Sequence, residues 1–282
     1  MMKLPFQMDQ TDKVVVITGA GGVICFMLAQ AYARTGAKVA LLDLNEEAAK
    51  KNASLLREEG YTAQGYQCNV LDKQSCQEAR KKIAEDMGTC DILINGAGGN
   101  NPKATADHEY FDPKDVGEIK TFFDLDTEGI SFVFQLNFMG TLIPTQVFAE
   151  DMTKKKGTSI LNISSMNAYT PLTKIPAYSG AKAAVSNFTQ WLSVYFSKVG
   201  IRCNAIAPGF FVTAQNQNLL FDSENKPTPR SEKILSQTPM ERFGEVEELA
   251  GAALFLTSEE AASFITGVVL PIDGGFSAYS GV

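Results

Sequence analysis

The 282-residue chain predicts a doubly wound α/β fold, and three observations carry that expectation. Short runs rich in Val, Ile and Leu alternate with segments of helical periodicity from end to end. The first of these runs ends in a cluster of glycines, as a buried parallel strand leading into a helix should. No Pro/Gly/Ser-rich linker, internal repeat or low-complexity tract interrupts the pattern, so one domain over residues 1–282 is expected.

The first strand is Val14–Thr18, and a helical pattern follows from about Ile24 to Thr35. Val39–Asp43 is the second strand, and Glu46–Glu59 is an amphipathic helix. A third strand leads into Cys68-Asn69-Val70, after which Asp72 can cap a helix through Met87. Ile92–Asn95 is the fourth strand, and one long helix is expected over roughly Ile130–Thr153. Strand Ile160–Ile163 precedes a helix from near Tyr178 to Ser197, whose Ala184, Phe188, Trp191, Leu192 and Tyr195 recur at helical spacing. Strand Arg202–Ile206, helix Glu245–Thr257 and strand Val268–Leu270 complete the series. Seven strands alternating with helices imply a Rossmann-type, mainly seven-stranded parallel sheet covered on both faces. Ligands in such a fold bind beyond the carboxyl ends of the strands.

Composition narrows the function. The formal charge is −7, with 32 acidic against 25 basic residues, which argues against nucleic acid as a partner. The run Lys154-Lys155-Lys156 reads as a helix end. Five cysteines without a Cys-x-x-Cys pair suggest a reducing compartment, neither a disulfide framework nor a zinc site. The single histidine, His108, sits in a polar loop, and no metal is expected. The amino terminus MMKLPFQMDQTDK lacks an apolar signal core, and nowhere do 18 apolar residues run together. A cytoplasmic protein away from membranes is expected.

Tyr178 and Lys182 lie four apart, hence one above the other on a helix face. A phenol with a pKa of about 10 is a poor proton donor or acceptor near neutrality, and a nearby ammonium would lower that pKa. A serine from the preceding strand end can hydrogen-bond the oxygen that the phenol protonates. Ser165, thirteen residues before Tyr178, is at such an end, and alternation there separates it from Ser164. Asn137 stands earlier, in Asn-x-x-Gly. With this set the chain resembles the short-chain dehydrogenase/reductase family, whose members carry an Asn, Ser, Tyr and Lys tetrad at similar spacings. The resemblance covers about Asp12 to Phe276. It implies that Tyr178 is the acid in reduction and the base in oxidation, and that Lys182 binds the nicotinamide ribose and depresses the tyrosine pKa. Ser165 would polarise the substrate oxygen, and Asn137 would hold a relaying water.

The turn Thr18-Gly-Ala-Gly-Gly-Val-Ile-Cys25 lies where backbone N–H groups and a helix N-terminus can hold a pyrophosphate. Gly19 matches the family's Thr-Gly-x-x-x-Gly-x-Gly, and Gly21, Gly22 and Ile24 complete the turn, but Val23 and Cys25 replace its later glycines. Asp43, 24 residues after Gly19, can accept the adenosine ribose hydroxyls and would repel a 2′-phosphate, and no Arg or Lys sits in the turn. NAD(H) is therefore favoured over NADP(H); the alternative is that Asp43 merely starts a turn before Asn45. Asn69-Val70 resembles the family's Asp-Val beside the adenine. Asn95-Gly-Ala97-Gly98 resembles its Asn-Asn-Ala-Gly near the ribose and nicotinamide. Pro208-Gly209 with Thr213 matches its Pro-Gly-x-x-x-Thr, where the Thr holds the carboxamide.

Residues 99–130 and 214–240 are long polar segments beside the catalytic end and are expected to form substrate loops or a lid. With the glycine turn and the tail, they resemble the D-mannonate oxidoreductase (fructuronate reductase) branch. That branch implies NADH-dependent reduction of D-fructuronate to D-mannonate in hexuronate catabolism, by a homotetramer packed through residues 130–153 and 178–197. A sugar acid needs a cation and polar groups, for which Lys103, Arg230, Asn100, Asn101 and Asn167 are available. Other readings are a gluconate 5-dehydrogenase-like sugar-acid or polyol enzyme, less readily an acyl-carrier-protein ketoreductase, and from another class a non-catalytic NAD-binding sensor.

Overall fold

A computed structural model describes residues 8–213 and 216–281. The amino-terminal reading at residues 1–7, residues 214–215 of the second substrate loop and Val282 lie outside the described residues.

The first half of the chain runs β1 (Val14–Thr18), α1 (Val23–Arg34), β2 (Lys38–Asp43), α2 (Glu46–Glu58), β3 (Ala63–Gln67), α3 (Lys73–Asp86) and β4 (Ile92–Asn95). Next come α4 (Thr127–Phe134) and α5 (Gly140–Met152), joined by a π turn, Gln135–Met139. Then follow β5 (Ser159–Ile163), α6 (Pro176–Tyr195), β6 (Arg202–Pro208), α7 (Gln217–Leu220), α8 (Pro229–Ser236), α9 (Glu248–Thr257), α10 (Glu259–Ala262) and β7 (Val269–Ile272). The seven strands form one parallel sheet in the order β3-β2-β1-β4-β5-β6-β7. The order reverses between β1 and β4, which places a crevice above their carboxyl ends.

The strands read as unbroken apolar runs because both faces are covered. Val15, Ile17, Val39 and Leu41 pack with Leu28 and Tyr32 of α1, Leu56 of α2 and Leu249 of α9. Their neighbours Val14, Val16, Ala40 and Leu42 point the other way, against Ile83 of α3, Phe148 and Met152 of α5 and Leu192 of α6.

Three helix starts move by two or three residues. The long helix foreseen at 130–153 starts earlier and contains the π turn, where Asn137 turns its side chain onto the Val133 carbonyl, 2.8 Å. The tyrosine helix opens at Pro176, since proline suits a first helical turn that needs no N–H there. The helix foreseen from Glu245 begins at Glu248, whose carboxylate accepts the Glu245 N–H at 2.9 Å.

Helix α2 rests directly on β3. A Cβ at Gly65 would fall 2.5 Å from the backbone of Ala49 and Lys50, so only glycine fits there. Replacing Gly65 by Ala should therefore force α2 off the sheet and cost about 1–3 kcal/mol. The check is urea unfolding: a lower midpoint with an unchanged slope is expected, whereas an unchanged midpoint would contradict the contact.

Candidate active site

A cleft of about 740 Å³ opens above the carboxyl ends of the strands. Its floor is the turn after β1. Gly19 has φ +69°, and a Cβ there would lie 2.9 Å from the Ala97 backbone, so the turn depends on glycine. Gly21, Gly22, Val23, Ile24 and Cys25 continue the wall into α1. Asp43 closes one end: its Oδ2 accepts the Gly21 N–H and its Oδ1 the Asn45 N–H, both at 2.9 Å. The turn-starting and cleft-lining readings of Asp43 thus both hold, and its remaining lone pairs are available to hydroxyl donors. Asn69, Val70, Ala97, Gly98, Gly209 and Thr213 line the rest. Asn69 Oδ1 is turned onto the Leu71 N–H, 3.0 Å.

Two residues expected at the cofactor stand behind the wall. Asn95 is buried and its Nδ2 donates to Thr145 Oγ1 and Asn162 Oδ1, both 2.9 Å, tying β4 to α5 and β5. Pro208 is the buried last residue of β6. The backbone that reaches the cleft comes just after each: Gly96 and Ala97 donate N–H to Thr18 Oγ1 at 3.0 and 3.2 Å. Sequence reading missed the apolar Leu44, Leu71, Phe132, Leu136, Phe210 and Phe211 and the polar Asn216, which also line the cleft. Phe210 and Phe211 directly follow Pro208-Gly209, a signal that was available.

Two of the departures from the family pattern, Cys25 and Gly96, prove to be neighbours. A Cβ at residue 96 would fall 2.2 Å from Cys25 Sγ. The cysteine that replaces a glycine on α1 therefore occupies the room freed by Gly96, where the pattern has asparagine. Burial pushes the Cys25 thiol up to about 12, so it is inert filling.

Helix α6 brings Tyr178 and Lys182 beneath β5, with the Lys182 ammonium 5.7 Å from the phenol ring centre. Lys182 is buried and donates to the Ile163 carbonyl at 2.8 Å. Ser165 follows Ile163 by two residues, and its hydroxyl lies beside the phenol, where it favours the phenolate. Burial outweighs this and raises the Tyr178 pKa above that of an ordinary tyrosine. Burial of the phenol thus turns the shift opposite to the expected depression, and burial also lowers Lys182, to about 8. Ser164 points away, onto Ser186 Oγ at 2.7 Å and the Lys182 carbonyl at 3.2 Å, which leaves Ser165 as the serine of the site.

Asn137 reaches the same region from the π turn. Its Nδ2 donates to Gly99 O at 2.7 Å and Val133 O at 2.8 Å, and its Oδ1 accepts the Gly99 N–H at 3.2 Å. Both Nδ2 hydrogens are committed, so a water can be held only through an Asn137 oxygen.

The expected substrate residues are not gathered. Asn100 Nδ2 donates to Thr105 Oγ1 within its own loop, 3.0 Å. The backbone N–H of Lys103 donates to Asn101 Oδ1, 2.9 Å, and Arg230 is exposed on α8. Asn167 is buried at the site, with its amide engaged by Ser165, Leu172 and Ser179. The two long segments touch each other through Lys233 and Glu109. Among the described residues, no three His, Cys, Asp or Glu side chains converge as metal ligands, and no helix is long and apolar enough to cross a membrane.

Comparison with known proteins places this geometry. The family model described as Enoyl-(Acyl carrier protein) reductase matches residues 19–277. An uncharacterized oxidoreductase of Haemophilus influenzae is 65% identical over 272 residues, covering 96% of this chain and 95% of the relative. A crystal structure of a candidate D-mannonate oxidoreductase from Haemophilus influenza, with bound NAD, superposes with a TM-score of 0.94 at 64% identity, covering 97% of this chain and 98% of that one. A gluconate 5-dehydrogenase from Burkholderia cenocepacia, in complex with NADP and tartrate, gives a TM-score of 0.81 at 29% identity, over 98% and 99% of the two chains.

Lys182 carries a stability signature. Its folded pKa of about 8 lies below the 10.5 of an ordinary lysine, so between these values the unfolded chain binds more protons and stability rises with pH. Below about pH 8 the buried ammonium is a standing cost on the order of 3 kcal/mol. Lys182→Met should remove that rise from thermal melts taken between pH 8 and 10.5. A variant whose pH dependence still matches the parent would contradict the burial of this charge.

Proposed function

The chain belongs to the short-chain dehydrogenase/reductase family, and we propose that within it the protein reduces D-fructuronate to D-mannonate with NADH, reversibly. The observation that carries the proposal is the meeting of Ser165, Tyr178 and Lys182 at the end of β5, beside a cleft whose far end is closed by Asp43. The cleft fits a dinucleotide: a turn with no room for a side chain at Gly19 or Gly21, backbone N–H groups at the start of α1, and a carboxylate held in place. Gly19, Gly21, Gly22, Val23 and Ile24 would hold the pyrophosphate, Asp43 the adenosine ribose, and Asn69 and Val70 the adenine. Gly98 and Lys182 would hold the second ribose, and Thr213 the carboxamide. Bound there, the nicotinamide supplies the hydride in reduction.

The protein's own part is the proton. Burial keeps the Tyr178 phenol protonated at neutral pH, the form needed to give a proton to a carbonyl oxygen. Ser165 donates to that same oxygen and stabilises the charge that develops on it. The Lys182 ammonium stabilises the phenolate left behind. Asn137 clamps Gly99 against the π turn and offers an oxygen to a relaying water.

Asp43 favours NAD(H), since its carboxylate would repel a 2′-phosphate, and the NAD carried by the 64%-identical structure supports that choice. The same structure's description supports the sugar-acid substrate, while the gluconate 5-dehydrogenase relative favours a second reading, reduction of 5-keto-D-gluconate. A homotetramer is part of the proposal: α6 exposes a stacked row in which Trp191 and Tyr195 are 54% and 65% accessible, an apolar strip that a second copy would cover.

The test is oxidation of NADH and of NADPH with D-fructuronate, 5-keto-D-gluconate and an acetoacetyl thioester. Turnover with NADH and D-fructuronate at least about tenfold above the other pairs is expected. Preference for 5-keto-D-gluconate would move the assignment to the second reading. Absence of turnover despite NADH binding would leave the sensor reading.

A further inference from the structure

The geometry points to Asn167 as a positioning residue that fixes Ser165 as a hydrogen-bond donor; this rests on the catalytic reading proposed above. A serine hydroxyl has two acceptor lone pairs and one hydrogen, and its rotor is free unless its partners decide it. Here Ser165 Oγ receives two hydrogen bonds from one residue: the Asn167 backbone N–H at 3.2 Å and Asn167 Nδ2–H at 3.1 Å. Both lone pairs are filled, so the hydroxyl can only give its hydrogen, and the group beside it is the Tyr178 phenol. A substrate oxygen placed between them would receive one hydrogen bond from each.

The amide that does this is itself locked. Asn167 Oδ1 accepts the Leu172 backbone N–H at 3.2 Å and the Ser179 hydroxyl at 3.3 Å. A backbone N–H can only donate, so the oxygen of the amide must face Leu172, and Nδ2 is left for Ser165. Ser179 neighbours Tyr178 on α6, so one buried side chain ties the serine, the loop after β5 and the tyrosine helix together. Sequence reading assigned Asn167 to the substrate. The structure commits one Nδ2 hydrogen to Ser165 and turns Oδ1 onto Leu172 and Ser179, which places its effect on the orientation of Ser165.

Asp and Ala at this position separate the role from simple packing. Asn167→Asp keeps the shape and the oxygen facing Leu172 and Ser179, but turns the Nδ2 donor into an acceptor. The Ser165 hydrogen would then be drawn to the new carboxylate. Asn167→Ala loses all three side-chain bonds but leaves the hydroxyl free to find the substrate. Steady-state NADH oxidation with D-fructuronate or 5-keto-D-gluconate should show kcat falling about 100-fold for Asp and less for Ala, with KM for NADH kept. In a Ser165→Ala background, Asn167→Asp should add no further loss. A packing role predicts the opposite order, Ala worse than Asp, and a loss that persists without Ser165; either result overturns the inference. Full turnover by Ser165→Ala would instead overturn the catalytic reading beneath it. Loss in Ser165→Ala together with unchanged kcat in Asn167→Asp overturns the positioning role alone.

Discussion

A lysine ammonium buried at the ends of a parallel sheet needs a fixed acceptor, and the Ile163 carbonyl, 2.8 Å from Lys182 Nζ, is that acceptor. This bond joins the last residue of β5 to the middle of α6. Once it is made, Ser165, two residues beyond Ile163, and Tyr178, one turn before Lys182, have little freedom relative to each other. The cleft follows from the same arrangement. With both faces of the sheet covered, the turns beyond its carboxyl ends form the concave surface, and the reversal of strand order between β1 and β4 opens it. Burial that makes the fold compact here also raises the tyrosine and lowers the lysine, so packing and proton chemistry are set together.

Much of this was legible in the sequence for a physical reason. Strands buried on both faces leave continuous apolar runs, and all seven were placed within a few residues. The Tyr178–Lys182 pair was legible because a helix fixes what four residues apart means. The serine was legible because alternation at a strand end separates Ser165 from Ser164, and the structure sends Ser164 to Ser186. The paired departures at Cys25 and Gly96 could not be paired from sequence, since 71 residues separate two atoms that share one small volume.

What sequence did not give is what depends on three-dimensional hydrogen-bond bookkeeping. The π turn at Gln135–Met139 has ordinary helical composition, and Asn137 within it bonds to Val133 and Gly99. The direction of the Tyr178 shift depends on burial, which periodicity does not measure. Asn167 looked like a substrate contact because it is polar and near Ser165; its partners on Leu172 and Ser179 make it part of the frame. The loop cations Lys103 and Arg230 were chosen by chemistry alone, and the fold leaves both at the surface.

The proton chemistry centred on Tyr178 is tested most directly by Tyr178→Phe, which deletes one oxygen from a buried ring. NADH binding should be followed by fluorescence titration and reduction of D-fructuronate by absorbance in the same preparation. The account predicts binding within about threefold of the parent and turnover reduced by roughly 10²–10⁴-fold. Turnover at the parent rate would remove Tyr178 from the reaction and contradict the account.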